Sequence, residues 1–194
     1  MNADAIFYAR SISIVGLMGV GKTTIGRRLS KRLDLPFFDS DDEIEKASGR
    51  SIKGYFKDYG EDAFRSGERR VIERLLDGRP LVLSTGGGAF IPDATRKIIL
   101  ENSLVIWLHA DFDTIMSRVS LKNTRPLLDV PDPVEAMRKL MEVRNPIYAK
   151  AHISVSAGVG THHQTVERVM TAITDFQKQD AQNSAGEPRG ENCS

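Results

Sequence analysis

The sequence predicts an α/β fold, in which helices cover both faces of a parallel sheet. Short apolar runs alternate with amphipathic stretches along the chain, the pattern of repeated strand–helix–strand units. The runs at 35–38, 81–84 and 104–108 contain almost no polar residues, as expected for strands buried on both sides. A glycine-rich loop at 16–23 lies between an apolar run and a helical stretch, which favours the same class.

The individual elements follow from the spacing of their apolar residues. Ile25, Leu29 and Leu33 lie four apart and so share one face of the first helix. Continuous apolar, β-branched or aromatic runs predict five strands, at 12–15, 35–39, 81–84, 104–108 and 153–155. Helical spacing predicts further helices at 41–48, 51–58, 60–77, 92–102, 111–119, 133–144 and 163–178.

A chain of 194 residues has the size of one domain with a proper core. We assign residues 11–176 to this domain and residues 1–10 to an N-terminal extension. The stretch 121–133 contains three prolines and is predicted to be a long loop, a length typical of lids and binding loops. The polar stretch 177–194 has almost no apolar residues and is predicted to be disordered.

Composition limits the possible partners and compartments. The 27 Lys and Arg residues nearly cancel the 26 Asp and Glu residues, which argues against a dedicated nucleic-acid binder. No apolar run approaches the ~20 residues of a membrane span, and residues 1–10 lack the apolar core of a signal peptide and are too short for a transit peptide. Cys193 is the only cysteine, so no internal disulfide is possible. We expect a cytoplasmic monomer that binds a small molecule.

Residues 16–23 read G-L-M-G-V-G-K-T and match the phosphate-binding P-loop pattern. The glycines allow backbone N–H groups to close around an anion, and the following helix N-terminus adds partial positive charge. Lys22 is expected to reach the β- and γ-phosphates, and the hydroxyl of Thr23 is expected to bind Mg²⁺. The loop therefore predicts that a nucleoside triphosphate binds here.

The acceptor of the phosphate must be sought where the other strands end, because open α/β sheets bind ligands there. Asp39 and Asp41 follow the second strand, and on an extended segment residues two apart project to the same side. Asp39 could hold Mg²⁺, and Asp41 could orient an acceptor hydroxyl or take its proton. Helix capping is the alternative interpretation, because Asp41, Asp42 and Glu43 open a predicted helix and acidic residues favour that end of a helix.

The third strand runs into Gly86, Gly87 and Gly88, which would let a ligand lie against bare backbone. Arg65 lies on a predicted helix three residues before Glu68, and Arg144 ends another. Two arginines would suit a small anionic acceptor, since a guanidinium binds a carboxylate with two parallel hydrogen bonds. The residues alone favour the alternative, which is ordinary helix arginines, and Arg118 and Arg125 are ambiguous by themselves.

Together these segments resemble the shikimate kinase family from about Ile12 to Val169. The similarity is carried, in order, by G-L-M-G-V-G-K-T-T-I-G-R, F-D-S-D, A-F-R-S-G-E, S-T-G-G-G-A, T-R-P-L-L and R-N-P-I-Y. The resemblance implies a three-layer α/β/α fold with a five-stranded parallel sheet of order 2-3-1-4-5. It also implies phosphoryl transfer from ATP, with Mg²⁺, to the 3-hydroxyl of shikimate, a step of aromatic amino acid biosynthesis.

The resemblance also assigns roles to single residues. The ATP phosphate loop would comprise Gly19, Val20, Gly21, Lys22, Thr23 and Thr24, with Thr23 and Asp39 at Mg²⁺. Asp41 would bind the shikimate hydroxyls, Arg65 and Arg144 the carboxylate, and Gly87 and Gly88 would face the substrate. Glu68 would position the arginine, Arg118 would pack near adenine, and Arg125 would reach toward the transferred phosphate from a lid at 121–133. The segment 157–161 departs from the family, which often carries an Arg or Pro there against adenine.

Two other functions remain possible from the sequence. A gluconokinase-like kinase would keep ATP but phosphorylate a polyol acid, and it has no obvious need for Asp-Ser-Asp together with Gly-Gly-Gly. A nucleotide-binding switch would bind ATP without phosphorylating a metabolite, and it would not need a convergent aspartate with two arginines.

Overall fold

The structure, a computed structural model, describes residues 10–120, 131–158 and 160–185, and it confirms the predicted fold class. Five parallel strands form one sheet of order β2-β3-β1-β4-β5. Their bounds are β1 Ser11–Val15, β2 Phe37–Asp39, β3 Val82–Ser84, β4 Ser103–His109 and β5 Ile153–Ser156. The predicted strand order is therefore confirmed as well.

The strand register places three strand ends side by side. Ile14 of β1 pairs with Ser84 of β3, and Ser84 also pairs with Asp39 of β2. The loops that follow β1, β2 and β3 therefore leave the sheet at the same edge. This edge is the carboxyl end of the sheet, where open α/β sheets bind their ligands.

Helices flank the sheet on both faces. They are α1 Lys22–Leu33, α2 Ser40–Ser48, α3 Ile52–Leu76, α4 Asp93–Asn102, α5 Phe112–Ser120, α6 Pro133–Tyr148 and α7 His162–Ala185. Helix α1 connects β1 to β2 in one direction across the sheet, while α3 and α4 belong to connections in the other direction. Right-handed crossovers then place α1 opposite α3 and α4, and α7 packs beside α1.

The sheet is buried on both sides, as its apolar runs predict. Ile14, Leu83 and Ile106 on the three central strands are fully buried, and every residue of β1 is buried. Leu29 of α1 and Ile72 of α3 contribute to the same apolar core with no exposed surface. Burial of such a side chain contributes roughly 1.5–3 kcal/mol, so this core fixes the positions of the strand ends.

Three of the helices have bounds that differ clearly from the predictions. The helices predicted at 51–58 and 60–77 form one element, α3, with a sharp kink at Gly60, where φ is 78° and ψ is 176°. Helix α6 continues past Arg144 to Tyr148 with Pro146 inside it, so Arg144 does not end the helix. Helix α7 continues to Ala185 because 177–185 contain no Gly or Pro, and a helix can extend without an apolar face.

Some predictions concern residues outside the described ranges. These are the extension at 1–9, most of the lid (121–130) with Arg125, and the end of the tail at 186–194. The prediction of disorder for 177–194 is wrong for 177–185, which are helical. Within the described residues, no helix is both long and apolar enough to cross a membrane.

Candidate active site

The P-loop folds tightly between β1 and α1. Gly16, Gly19 and Gly21 have φ values of 136°, 83° and 96°, a region that L-residues rarely adopt. A Cβ on Gly16 would overlap the backbone of Leu108, and one on Gly19 would lie 2.8 Å from Val119 Cγ2. Glycine is thus required both by the backbone conformation and by the close approach of β4 and α5.

Of the remaining P-loop residues, some pack into the apolar core and others have exposed side chains. Val20 is 1% exposed and belongs to the apolar core, so only its backbone faces the loop. Gly21 is the N-cap of α1, and Lys22 is the first helical residue. Lys22 Nζ donates to the carbonyls of Gly16 and Leu17 at 2.9 and 3.0 Å, and so bridges the first turn of the loop. Thr24 is exposed on the first turn of α1.

Thr23 and Asp39 meet across the edge of the sheet. Thr23 Oγ1 donates to Asp39 Oδ2 at 2.8 Å and lies 3.4 Å from Ser84 Oγ. Three oxygen-bearing side chains from α1, β2 and β3 are thus gathered beside the P-loop. Ser84 was not predicted as a site residue, although the signal was available, since it is the last residue of a strand beside β1.

This group of oxygen atoms suits Mg²⁺, which prefers hard oxygen ligands and keeps several waters. No group of three or more His, Cys, Asp or Glu in the described residues could hold a metal by itself. Mg²⁺ usually binds through one or two carboxylates together with substrate phosphates. Thr23 and Asp39 therefore fit a site completed by a nucleotide, not an all-protein metal cage.

Asp41 reaches the site from helix α2, not from an extended strand end. Asp39 ends β2 and is the N-cap of α2, where its Oδ1 accepts from the backbone N–H of Asp41 at 3.1 Å. The argument from extended alternation is therefore wrong, because Asp41 already belongs to the helix. Asp41, Asp42 and Glu43 lie in the first turn of α2, as the capping alternative predicts, but the N-cap itself is Asp39, whose other carboxylate oxygen faces Thr23.

The carboxyl group of Asp41 has an unusual environment. Burial and the neighbouring charge of Asp39 raise its pKa from 3.8 to about 6, against an opposing effect of Lys22. The side chain packs onto Gly86, where any Cβ would overlap it. The charge of Lys22 lowers this pKa, which indicates that the carboxyl group of Asp41 lies near the P-loop. A carboxyl group with a raised pKa beside a phosphate-binding loop is a candidate for orienting or deprotonating a hydroxyl.

Arg65 is held by two acidic residues on its own helix. Its Nη1 donates to Glu68 Oε2 at 2.7 Å, and its Nε and Nη2 each lie 3.3 Å from Glu61 Oε1. Glu68 is only 1% exposed, and burial raises its pKa although Arg65 opposes this change. Glu68 therefore fixes the guanidinium from the protein interior.

The guanidinium of Arg65 lies against the glycine turn and an aromatic pair. A Cβ on Gly88 would lie 2.6 Å from Arg65 Nη2, so a larger residue there would displace the guanidinium from this position. The Arg65 Cζ lies 5.2 Å from the ring centroid of Phe64 and 5.9 Å from that of Phe56. The two rings stack at 4.3 Å. Phe56 and Phe64 thus form an apolar wall beside the Arg65 guanidinium. The sequence analysis did not identify these two residues as part of the site.

Arg144 approaches the same turn from α6, together with a residue that was not predicted. Arg144 Nη1 donates to the Gly87 carbonyl at 3.2 Å, and Tyr148 Oη donates to the same oxygen. Tyr148 is 1% exposed, and burial raises its pKa to about 12, so the hydroxyl stays protonated. The signal in the sequence was the four-residue spacing, which places both side chains on one helix face.

Two further hydrogen bonds also hold the rest of the glycine turn. The backbone N–H of Gly86 donates to Ser40 Oγ at 2.8 Å, which ties the turn to the start of α2. Arg96 is 9% exposed, and its Nη1 donates to the carbonyl of Ile91 at 2.7 Å. The turn that carries Gly87 and Gly88 is therefore fixed at both ends.

Arg118 lies at a different part of the edge, on α5. Its Nη2 donates to the carbonyl of Ala157 at 3.1 Å, in the segment that departs from the family pattern. Asp111 lies nearby. Its carboxylate accepts from the backbone N–H of Thr114 at 2.7 Å, and this bond contributes most to its lowered pKa. Arg118 thus links α5 to the end of β5.

The predicted residues form two neighbouring groups. The first is the P-loop with Thr23, Asp39 and Lys22. The second surrounds the glycine turn and contains Asp41, Arg65, Glu68, Gly87, Gly88 and Arg144. Arg118 lies apart from both groups, and Arg125 is outside the described residues. The arrangement places a phosphate-binding loop next to a site with two guanidinium groups and one perturbed carboxyl group.

Comparison with known proteins identifies the family. A model of the shikimate kinase family matches residues 18–176. The chain is 51% identical over 165 residues to a shikimate kinase of Caulobacter vibrioides, a match covering 85% of this chain and 82% of that protein. It is 48% identical over 166 residues to a shikimate kinase of Zymomonas mobilis, covering 86% and 94% of the two chains.

Solved structures agree with this result. A shikimate kinase from Acinetobacter baumannii in complex with shikimate has a TM-score of 0.83 and 33% identity, covering 90% of this chain and 98% of that one. A gluconokinase from Sinorhizobium meliloti has a TM-score of 0.61 at 14% identity, covering 91% and 98%, and shares only the fold. The family model and the relatives at about half identity show that this chain belongs to the shikimate kinase family.

Proposed function

We propose that this chain transfers the γ-phosphoryl group of ATP to the 3-hydroxyl of shikimate, giving shikimate 3-phosphate and ADP in aromatic amino acid biosynthesis. The observation that carries the proposal is the convergence of Arg65, Arg144 and Asp41 on the glycine turn beside the P-loop. Family membership and the shikimate complex of the Acinetobacter baumannii relative support the same acceptor.

The nucleotide would bind on the P-loop. The backbone N–H groups of residues 19–24 and the ammonium group of Lys22 would surround the β- and γ-phosphates. Lys22 Nζ donates to two carbonyls of the loop at 2.9 and 3.0 Å, which keeps its ammonium group beside the loop that would hold the phosphates. We assign adenine contacts to Arg118 on α5.

Thr23 and Asp39 would hold Mg²⁺ together with phosphate oxygens. When bound, Mg²⁺ neutralises charge on the phosphates. The 2.8 Å hydrogen bond between Thr23 and Asp39 supports this assignment, because it keeps a hydroxyl and a carboxylate side by side where the P-loop enters α1.

Shikimate combines a carboxylate with three hydroxyl groups, and the second group of residues is complementary to it. Arg65 and Arg144 would bind the carboxylate through charge-assisted hydrogen bonds. Asp41, on the P-loop side, would accept a hydrogen bond from the hydroxyl that attacks the γ-phosphorus. Gly87 and Gly88 would let the ring lie against the backbone. Arg125, from the lid, would neutralise charge that develops during transfer.

Phosphoryl transfer requires positioning and charge neutralisation more than covalent chemistry by the protein. The residues divide these tasks, because one group binds the donor and the other orients the acceptor. Closure of the segment 121–133 over both ligands would exclude water, which otherwise would hydrolyse ATP.

We further propose that the enzyme acts as a cytoplasmic monomer without a nucleic-acid partner. A net charge of +1 supports the last point. The exposed large apolar side chains of the described residues are Tyr59, Val134 and Val143, which are too few for the apolar centre of a stable dimer interface.

A coupled assay of ADP release tests the proposal. The full chain is incubated with ATP and Mg²⁺, and with shikimate, with gluconate, or with neither. We expect rapid ADP release only with shikimate. Release with gluconate would indicate the sugar-acid kinase, and equal release in all three samples would indicate a nucleotide hydrolase or switch.

A further inference from the structure

A second concave surface lies between α2 and the two halves of α3. This α2–α3 groove has a volume of about 410 Å³, within the range of small-molecule sites. Its walls include Arg50, Arg70, Arg74, Tyr55 and Tyr59. None of the residues assigned above to ATP or shikimate lines it.

The groove is positively charged. Gly67, Arg70, Val71 and Arg74 follow the i, i+3, i+4, i+7 spacing of one helix face, so the two guanidinium groups lie one turn apart. Neither arginine forms an ion pair with any other residue that the structure describes. No Asp or Glu of the described residues lines the groove, and only Arg50 is neutralised, by Asp58.

The opposite wall of the groove is aromatic. The rings of Tyr55 and Tyr59 lie 5.2 Å apart and are tilted by 56°, and Tyr59 is 55% exposed. A Cβ on Gly67 would lie 3.2 Å from the hydroxyl oxygen of Tyr55. Glycine at this position therefore lets Tyr55, on the first half of α3, pack closely against the second half. On α2, the groove is lined by Ile44, which is only 3% exposed, and by Ala47, which is exposed and adds a small apolar contact surface.

We propose that the α2–α3 groove is a binding site for a small aromatic carboxylate. The ring of the ligand would have the two tyrosine rings on one side and the apolar surface of α2 on the other. Offset and edge contacts with the tyrosine rings would stabilise it, as they do other aromatic pairs. The carboxylate would accept hydrogen bonds from Arg70 and Arg74, which are spaced to share one anion.

This site is coupled to the acceptor site through aromatic contacts. Tyr55 packs edge-on against Phe64 at 5.8 Å, and Phe64 stacks on Phe56 and lies under Arg65. A ligand that fills the groove would hold the two halves of α3 together across the kink at Gly60, and so fix the aromatic wall beside Arg65. The effect on shikimate binding, which rests on the proposed function, is an increase in affinity of about fivefold, at the low end of allosteric coupling.

Benzoate is the probe, titrated into the full chain by calorimetry in the presence of saturating shikimate. Shikimate occupies the Arg65–Arg144 site and prevents benzoate from binding there. We expect a dissociation constant of about 1 mM or tighter, and at least about tenfold weaker binding to an Arg70→Gln/Arg74→Gln variant, because charge-assisted hydrogen bonds are lost. Arg69→Gln is the matched control, since Arg69 is an exposed arginine of α3 that does not line the groove.

Equal benzoate affinity for the parent and the double variant would overturn the proposal, as would sulfate binding as tightly as benzoate. Shikimate affinity is then measured with and without benzoate. Weaker shikimate binding that persists in the double variant would place benzoate in the substrate site and contradict the coupling. If shikimate itself does not bind, the proposed function fails, while the titration of the double variant without shikimate still tests the groove.

Discussion

Arg65 and Glu68 form an ion pair in which the carboxylate is almost completely buried and the guanidinium is not. The Nη1–Oε2 distance is 2.7 Å, and the side chains are 24% and 1% exposed. Glu61, the second partner of Arg65, is 67% exposed and lies 3.3 Å away. The buried pair therefore sets the orientation of the guanidinium, while exposed pairs such as Arg65–Glu61 contribute ~0–1 kcal/mol.

We expect Glu68→Gln to raise the KM for shikimate about tenfold, because the buried ion pair is replaced by a weaker hydrogen bond from Arg65 to a neutral amide. The KM for ATP should not change, since the ion pair of Glu68 is with Arg65, which we assign to the acceptor. Steady-state kinetics with each substrate varied provides the measurement. Glu61→Gln is the control and should leave both constants unchanged. Equal effects of the two substitutions would show that the buried pair does not orient Arg65.

Asp41→Asn should lower kcat by ~10²–10⁴, the usual contribution of a positioned acid–base group, while ATP still binds. The parent enzyme should also lose activity as the pH falls through about 6, where the carboxylate becomes protonated and cannot accept from the hydroxyl. The pH dependence of kcat/KM for shikimate, which reports groups of the free enzyme, measures this midpoint. A midpoint near the ordinary value of 3.8 would contradict the assigned environment.

The same substitution should stabilise the folded protein at neutral pH. The pKa of Asp41 is higher in the folded state than in the unfolded chain, so the folded state binds more protons between pH 3.8 and about 6. Its stability therefore falls as the pH rises through this window, by roughly 3 kcal/mol at ~1.4 kcal/mol per pKa unit. Urea unfolding should show Asp41→Asn to be more stable than the parent at pH 8 and equal to it near pH 4. A variant less stable at pH 8 would contradict this account.

Tyr148→Phe should weaken shikimate binding without affecting ATP. The substitution preserves packing against Trp107 and Phe90 but removes the bond to the Gly87 carbonyl. Because a peptide unit is trans and planar, this bond also fixes the direction of the Gly88 N–H. Loss of one neutral hydrogen bond predicts an increase in the KM for shikimate of about two- to tenfold. Tyr59→Phe removes the hydroxyl of an exposed tyrosine and serves as the control, and an equal effect there would argue against a positioning role.

Local sequence signals predicted the fold and most of the residues that the structure brings together at the candidate site. The P-loop is contiguous, and Asp39 and the glycine turn follow strands that the apolar runs identify. Tyr148 was missed because its partner, Gly87, is 61 residues away in the sequence, and the four-residue spacing from Arg144 shows a shared helix face but not that partner. The predicted orientation of Asp39 and Asp41 on one extended segment was wrong, because the boundary between β2 and α2 falls between the two residues. Element boundaries depend on tertiary contacts, which the sequence pattern does not show.

The identity of the phosphorylated product tests the central claim most directly. The full chain is incubated with ATP, Mg²⁺ and shikimate, and the products are resolved by ³¹P NMR with proton coupling. The account predicts one new phosphomonoester signal, coupled to the proton on carbon 3 of shikimate, in amounts equal to the ADP formed. Inorganic phosphate in place of this signal, or a phosphate on another hydroxyl, would contradict the assignment of Asp41, Arg65 and Arg144 as the groups that present the 3-hydroxyl to ATP.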